Sequence, residues 1–197
     1  MNAMMRELIP SSTQFLFVDL QPKIMASSRT LAPDILAAAA GVLAEGADLL
    51  GCPMTFAFAP EGPGREPVSV PELVQYARSD VSFTRTVTGP FLDSRIAHHI
   101  NGNERRTLVV AGYTVEVAVI QSVIGARAAG FDVFVPVDGT ASRSKRTEMA
   151  SIREIEILGG VVTSVRSLLM RLAPDLGTPT GRKMLEIVSK LREAERD

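Results

Sequence analysis

The chain has 197 residues and a formal net charge of −1 at pH 7, with 46% hydrophobic and 22% charged residues. These values are typical of a globular domain and exclude a disordered or fibrous chain. No long run of Lys and Arg favours nucleic-acid binding. No apolar run approaches the roughly 20 residues of a membrane span. We therefore expect one domain over residues 1–197 that binds neither nucleic acid nor a membrane.

A single cysteine, Cys52, excludes an internal disulfide framework and a cysteine-based zinc cluster. The segment Met1 to Pro10 has no long apolar stretch and carries Glu7, which is not typical of a signal peptide. A cytoplasmic location is therefore expected. Neither a cofactor nor a metal ion is expected.

Short apolar runs alternate with helical patterns, which predicts βαβ units and a parallel sheet. The predicted strands are residues 14–20, 53–58, 80–84, 107–112, 131–137 and 161–163. The predicted helices between them are residues 32–50, 91–100, 116–129 and 145–158. Residues 60–67, which are rich in Gly and Pro, are expected to form a lid or surface loop.

The C-terminal segment has its own helical pattern. Thr178 offers an N-cap before Pro179, and apolar side chains then recur at helical spacing up to Leu191. This pattern predicts an amphipathic helix over about 179–195. The apolar face of such a helix must cover a surface, either on its own subunit or on a neighbouring one.

Polar residues follow several predicted strands directly. Asp19 and Gln21 follow the first strand, Arg85 the third and Thr114 the fourth. Because ligands bind outside the carboxyl ends of parallel strands, we expect Asp19 and Arg85 to converge there. The guanidinium is expected to lower the pKa of Asp19 and keep it ionised. The alternative role for Asp19 is that of a turn or capping residue.

Four segments in order resemble the isochorismatase-like hydrolase superfamily. They are FLFVDLQ from Phe15, VSFTR ending at Arg85 with Phe91 six residues later, VVAGYTVEVAV from Val109 and FDVFVPVD from Phe131. The C-terminal third, with Ser142-Arg143-Ser144, Thr163-Ser164 and residues 176–191, is most similar to isochorismatase-domain-containing proteins. The resemblance implies a doubly wound, mostly parallel six-stranded sheet with helices on both faces, a Rossmann-like three-layer α/β fold. It also implies a homo-oligomer.

The resemblance implies a site in which the catalytic aspartate, lysine and cysteine positions hold Asp19, Arg85 and Ala118. It implies a cis peptide bond near Thr114–Val115. We expect five further residues to contact the substrate: Gln21, Phe91, Tyr113, Thr114 and Val117. An alanine methyl cannot act as a nucleophile, so cysteine-dependent amidase activity is not expected. Arginine stays charged at working pH, so Arg85 orients an anion rather than shuttling a proton.

Three hypotheses remain open at this point. In the first, the chain has lost cysteine-hydrolase activity and binds a small anionic ligand or serves as a structural oligomer. In the second, it hydrolyses a vinyl ether such as isochorismate without a thiol, with Asp19 as the general acid. The ionised state that Arg85 favours argues against this role, because an acid needs a proton to give. In the third, the C-terminal helix makes the chain an interaction module.

Overall fold

The structure, a computed structural model, describes residues 8–191, and its centre is a parallel sheet. The strands are β1 (Thr13–Val18), β2 (Met54–Phe58), β3 (Ser82–Thr84), β4 (Thr107–Tyr113), β5 (Asp132–Pro136), β6 (Thr140–Ala141) and β7 (Val161–Thr163). Their order is β3-β2-β1-β4-β5-β7, and the two-residue strand β6 pairs with the end of β4. The pairings between the described strands are all parallel. The predicted α/β class and sheet are thus confirmed, with β6 as an additional short strand.

The helices lie on both faces of this sheet. They are α1 (Pro22–Met25), α2 (Pro33–Leu49), α3 (Ser94–Gly102), α4 (Ile120–Ala128), α5 (Lys145–Ile157), α6 (Val165–Leu172) and α7 (Pro179–Val188). Two predicted helices begin differently from the expectation. A separate 3-10 turn, Pro90–Leu92, precedes α3, and a turn of π geometry, Val115–Val119, leads directly into α4. Helix α6 was not predicted.

The two central strands explain why the chain forms three layers. Every residue of β1 and β4 is buried. Successive side chains of a strand point to opposite faces. Accordingly, Phe15 and Phe17 join one core with α2, α6 and α7, whereas Leu16 and Val18 join another with α3, α4 and α5. A nearly continuous apolar run is what such a doubly covered strand requires.

The C-terminal helix α7 covers its own subunit. Its buried side chains, Met184, Ile187 and Val188, belong to the same core as residues of α2 and α6. The Nζ atom of Lys190, just beyond the helix, lies 2.6 Å from Oε1 of Glu45 in α2. The helix ends at Val188, and residues 192–195 of the predicted range lie outside the described residues. Of the two surfaces that the apolar face of this helix was expected to cover, the structure shows the one on its own subunit.

None of the helices within residues 8–191 is long and apolar enough to cross a lipid bilayer.

Candidate functional site

The strand order reverses between β1 and β4. Strands β2 and β3 lie on one side of β1, whereas β4 and β5, which come later in the chain, lie on its other side. The helices that follow β1 and β4 therefore lie on opposite faces, and a crevice opens between the carboxyl ends of these two strands. Asp19 follows β1 there, and Thr114 follows β4.

Glycine at position 112 allows these two strand ends to approach closely. Gly112 pairs with Val18 in the register of β1 and β4, and its φ is 145°. A Cβ atom on Gly112 would overlap the carbonyl oxygen of Val18. The close approach and the positive φ both require a residue without a side chain.

Asp19 and Arg85 form a buried ion pair across the end of β2. The Nη2 atom of Arg85 lies 2.6 Å from Oδ2 of Asp19, and its Nη1 donates to the carbonyl oxygen of Val87 at 2.6 Å. Only 4% of the Arg85 side chain and 11% of the Asp19 side chain are exposed. The predicted convergence of these two residues is therefore present in the structure.

The backbone of Asp19 is also unusual. Its φ of 52° places a non-glycine residue in the left-handed region. Aspartate visits this region more readily than most residues, yet such a conformation costs free energy and is concentrated at functional sites. The conformation turns the chain sharply at the end of β1, where the N–H of Asp19 donates to the carbonyl of Ala57 at 2.9 Å.

Burial, rather than Arg85, determines the direction in which the pKa of Asp19 changes. Removal of the carboxylate from water raises its pKa above the ordinary value of 3.8, and the charge and hydrogen bond of Arg85 oppose this only in part. The expectation that Arg85 would lower the pKa overall is wrong, because the desolvation of a buried charge is larger than the attraction of its partner. The sequence showed the charge partner but not the depth of burial.

The turn after β4 brings the predicted alanine position into the crevice. Ala118 is buried within the π-type turn Val115–Val119, whose N-terminal residue Thr114 makes no side-chain capping bond. A cis peptide bond joins Tyr113 to Thr114, one bond earlier than expected. Single turns of π geometry inside helices occur frequently at functional sites.

A cavity of about 360 Å³ opens at this place. Its lining residues are Asp19, Ile24, Tyr113, Thr114, Glu116, Val117, Ala118 and Arg143. Five of these were among the residues proposed from the sequence. The other three, Ile24, Glu116 and Arg143, were not. Glu116 could have been noticed because it lies in the same turn as Ala118, whereas the position of Arg143 depends on the pairing of the short strand β6 with the end of β4.

Three residues proposed from the sequence do not line the cavity. Arg85 lies behind Asp19 and reaches the cavity only through it. Phe91 packs its ring on Phe131, with a centroid distance of 5.8 Å, and lies against Gly125 of α4. The third residue, Gln21, holds the loop after β2.

Gln21 is fully buried, and its side-chain amide is used within the protein. Its Oε1 accepts from the N–H of Ala59 at 2.9 Å, and its Nε2 donates to the Ala59 carbonyl at 3.1 Å and to Oε1 of Glu61 at 2.9 Å. These bonds fix the start of the loop whose residues 62–66 are exposed. Gln21 therefore positions the loop beside the site.

Glu116 is a half-buried carboxylate with little hydrogen bonding. Its Oε1 accepts one long bond, 3.4 Å, from the backbone N–H of Arg143. Its Oε2 is buried and has no hydrogen-bond partner within residues 8–191, and the same is true of Oδ1 of Asp19. Both carboxylates line the cavity.

Cys52 lies near the amino ends of the strands, away from this cavity at their carboxyl ends, because it precedes β2. It is buried, and its Sγ lies 3.6 Å from the carbonyl oxygen of Pro10. Burial raises the pKa of the Cys52 thiol to about 11. A thiol of such a high pKa is a poor nucleophile at neutral pH, since the thiolate is the reactive form.

A second cavity of about 390 Å³ lies beside the edge strand β3, between Ser82 and the segment around Ser69 and Val74. Its lining side chains bring hydroxyls and apolar groups together but only one ionisable group, Glu66. Across the described part of the chain, no three His, Cys, Asp or Glu side chains lie together in a group that could hold a metal ion.

Residues 13–167 match the family model of the isochorismatase domain. Isochorismatase domain-containing protein 1 of Salmo salar is 26% identical over 182 residues, which are 92% of this chain and 62% of that protein. The chain thus spans less than two thirds of this relative.

Two solved structures share the fold. YcaC of Pseudomonas aeruginosa, solved with hexane-2,5-diol and covalent acrylamide, superposes with a TM-score of 0.86 at 20% identity, over 94% of this chain and 93% of the other. YcaC of Escherichia coli, an octameric hydrolase of unknown specificity, superposes with a TM-score of 0.80 at 22% identity, over 94% of this chain and 88% of the other.

Proposed function

The chain belongs to the isochorismatase family, and from this premise we propose that it is a member without a thiol nucleophile that binds a small anionic molecule. The proposed site is the cavity between the ends of β1 and β4. Asp19, Arg85 and Ala118 occupy the positions of the catalytic aspartate, lysine and cysteine, and Tyr113, Thr114 and Val117 contact the ligand. The observation that carries the proposal is the buried Asp19–Arg85 pair beside a methyl group at position 118.

Two features favour an anion. Arg143, an exposed residue, lines the cavity and adds positive charge there. The helical segment that begins at Val115 has no side-chain hydrogen bond at its N-cap residue, Thr114, which lines the same cavity. The positive end of the helix dipole favours a bound negative charge.

The absence of thiol chemistry is tested by introducing the family's cysteine and lysine at positions 118 and 85. We expect the native chain to react with iodoacetamide only after unfolding, because Cys52 is buried and protonated. The double variant Ala118→Cys/Arg85→Lys is expected to gain one rapidly modified thiol while folded. The single variant Ala118→Cys is the matched control for the role of lysine. Rapid modification of the folded native chain would contradict the proposal.

Anion binding is tested separately with benzoate as the probe, by titration calorimetry. We expect saturable binding to the native chain, weakened about tenfold by Arg143→Met through loss of a charge-assisted contact. The control is Arg153→Met, at an exposed position of α5. Equal binding by both variants would show that the cavity is not the anion site.

A second candidate is a thiol-independent vinyl-ether hydrolase with Asp19 as general acid. The specific observation in its favour is that burial raises the pKa of Asp19, which brings the carboxyl closer to the protonated state that an acid requires. Turnover of isochorismate by the native chain, abolished in Asp19→Asn, would establish this function over simple binding. No turnover by the native chain would exclude it for this substrate.

Two properties of the whole chain belong to the same proposal: it is a single domain over residues 1–197, and it assembles as a homo-oligomer. The matched range, residues 13–167, extends from β1 into α6, and α7 packs on the same core. The octameric state of the Escherichia coli relative supports the oligomer.

A further inference from the structure

The cavity contains an acidic residue that the proposed function does not use. Glu116 lies two residues before Ala118 and lines the same space as Asp19 and Arg143. Its only hydrogen bond in the described part of the chain is the 3.4 Å bond from the Arg143 backbone. A carboxylate oxygen that is buried without a donor has lost its hydration without a compensating hydrogen bond. The site therefore has an acceptor that a ligand can satisfy.

Asp19 is a second carboxylate that lines the same cavity. Asp19 is 92% buried, its Oδ2 is bound by Arg85, and its Oδ1 has no donor within residues 8–191. The two acceptors differ in charge compensation. Arg85 neutralises Asp19, whereas no cationic side chain among the described residues lies within salt-bridge distance of Glu116. Glu116 is therefore the carboxylate in this cavity that most requires a hydrogen-bond donor from a ligand.

Access to the Glu116 carboxylate requires only a small motion. A partial rotation about the last side-chain torsion, which has broad, shallow minima, turns the buried oxygen toward the cavity. A cavity of about 360 Å³ accommodates a ring of six carbons with a few substituents.

We propose that Glu116 selects the ligand of this site: a small carboxylate that also carries a hydroxyl or N–H donor. The ligand's carboxylate pairs with Arg143, and its donor binds the Glu116 carboxylate. This inference rests on the proposed function, because it concerns the ligand of the same cavity. A simple carboxylate without a donor leaves the Glu116 oxygen unsatisfied and is discriminated against.

Matched probes test the inference by titration calorimetry: cyclohexanecarboxylate and its 2-, 3- and 4-hydroxy derivatives. We expect at least one hydroxylated probe to bind the native chain about tenfold more tightly than the parent acid. Glu116→Met removes both carboxylate oxygens of Glu116 and is expected to abolish this preference, so that the parent acid and the hydroxylated probes bind the variant with equal affinity. Glu154→Met, on the exposed face of α5, is the matched control and is expected to retain the preference.

A second variant covers the case in which Glu116→Met does not fold. Glu116→Gln preserves the shape and one oxygen but removes the charge, and it is expected to reduce the preference to about threefold. Equal affinity of the parent acid and all hydroxylated probes for the native chain would overturn the inference while leaving the anion site intact. A preference unchanged in Glu116→Gln would overturn it as well. Failure of every probe to bind the native chain would overturn the proposed function and the inference together.

Discussion

At Asp19, two electrostatic effects act on one carboxyl group in opposite directions. Burial disfavours the charged form, whereas Arg85 at 2.6 Å favours it. Burial is the larger effect, so the pKa is raised, and the folded state binds a proton more tightly than the unfolded chain does. The consequence for stability follows from this difference.

The free energy of unfolding is expected to carry a characteristic pH dependence. Below the unfolded pKa of 3.8 Asp19 is protonated in both states, and no penalty exists. As pH rises from the unfolded pKa through the higher folded pKa, stability is lost. Asp19→Asn lacks this dependence, so the free energy of unfolding of the native chain minus that of the variant should fall over this pH range in urea unfolding. A rise over that range would mean that Arg85 outweighs burial.

At Gly112 a single added methyl group is expected to lower the stability of the fold strongly. A Cβ there would overlap the Val18 carbonyl, and the φ of 145° is unfavourable for alanine. Gly112→Ala is expected to lower the free energy of unfolding by about 3 kcal/mol or more. Gly102→Ala is the control, since its Cβ would meet nothing within 4 Å. Similar unfolding midpoints for the two variants would refute the close approach of β1 and β4.

Among the structural elements, the loop after β2 depends on a single side chain. Gln21 makes three hydrogen bonds to residues 59 and 61, each contributing about 1 kcal/mol. Gln21→Met should release the loop and accelerate tryptic cleavage after Arg65, which is exposed. Gln75→Met, at an exposed position, should be cleaved at the native rate. Unchanged cleavage of Gln21→Met would show that the loop is held by other contacts.

Helix α7 is expected to contribute to stability through one face only. Ile187 is 1% exposed, and its truncation to alanine should cost about 2–5 kcal/mol. Leu185, in the same helix, is 46% exposed, and Leu185→Ala should change the free energy of unfolding by about 0.5 kcal/mol or less. Chemical denaturation of both variants gives the comparison. A large cost at Leu185 would indicate a partner on the outer face and would revive the interaction-module hypothesis.

The central strands could be predicted because doubly covered strands are apolar throughout, and β1 and β4 have no exposed residue. Helix α6 was missed although a signal existed. Val165, Leu168, Leu169 and Leu172 recur at helical spacing after Ser164, whose side chain accepts from the N–H of Ser167. The short strand β6 gave no comparable signal, because two residues are too few for any periodicity.

The site was predictable in part, for a reason of geometry. Asp19, Thr114 and Ala118 follow adjacent strands, so strand order alone brings them together. Arg143 comes from beyond β6, and no periodicity of the sequence indicates that its loop closes over the end of β4. Phe91 is the opposite case, because it does not line the cavity. It belongs to a segment that resembles a catalytic block, yet its ring fills the space between α4 and Phe131.

At the scale of the whole molecule, several large apolar side chains remain exposed. Ile157 is 85% exposed, Leu92 65% and Met149 54%. The apolar area exposed to water becomes smaller when subunits associate through such side chains. We expect light scattering to give a mass of two or more subunits of 21.2 kDa each. A mass of one subunit would contradict the proposed homo-oligomer and leave binding by the cavity unaffected.

The two hydrogen bonds of Arg85 bear on whether a lysine could replace it. One guanidinium nitrogen holds Asp19, and a different one holds the carbonyl of Val87. A lysine offers a single nitrogen and cannot reproduce this fork. A lysine at position 85 therefore leaves either the Asp19 carboxylate or the Val87 carbonyl without its donor. The guanidinium thereby couples the end of β1 to the segment that follows β3.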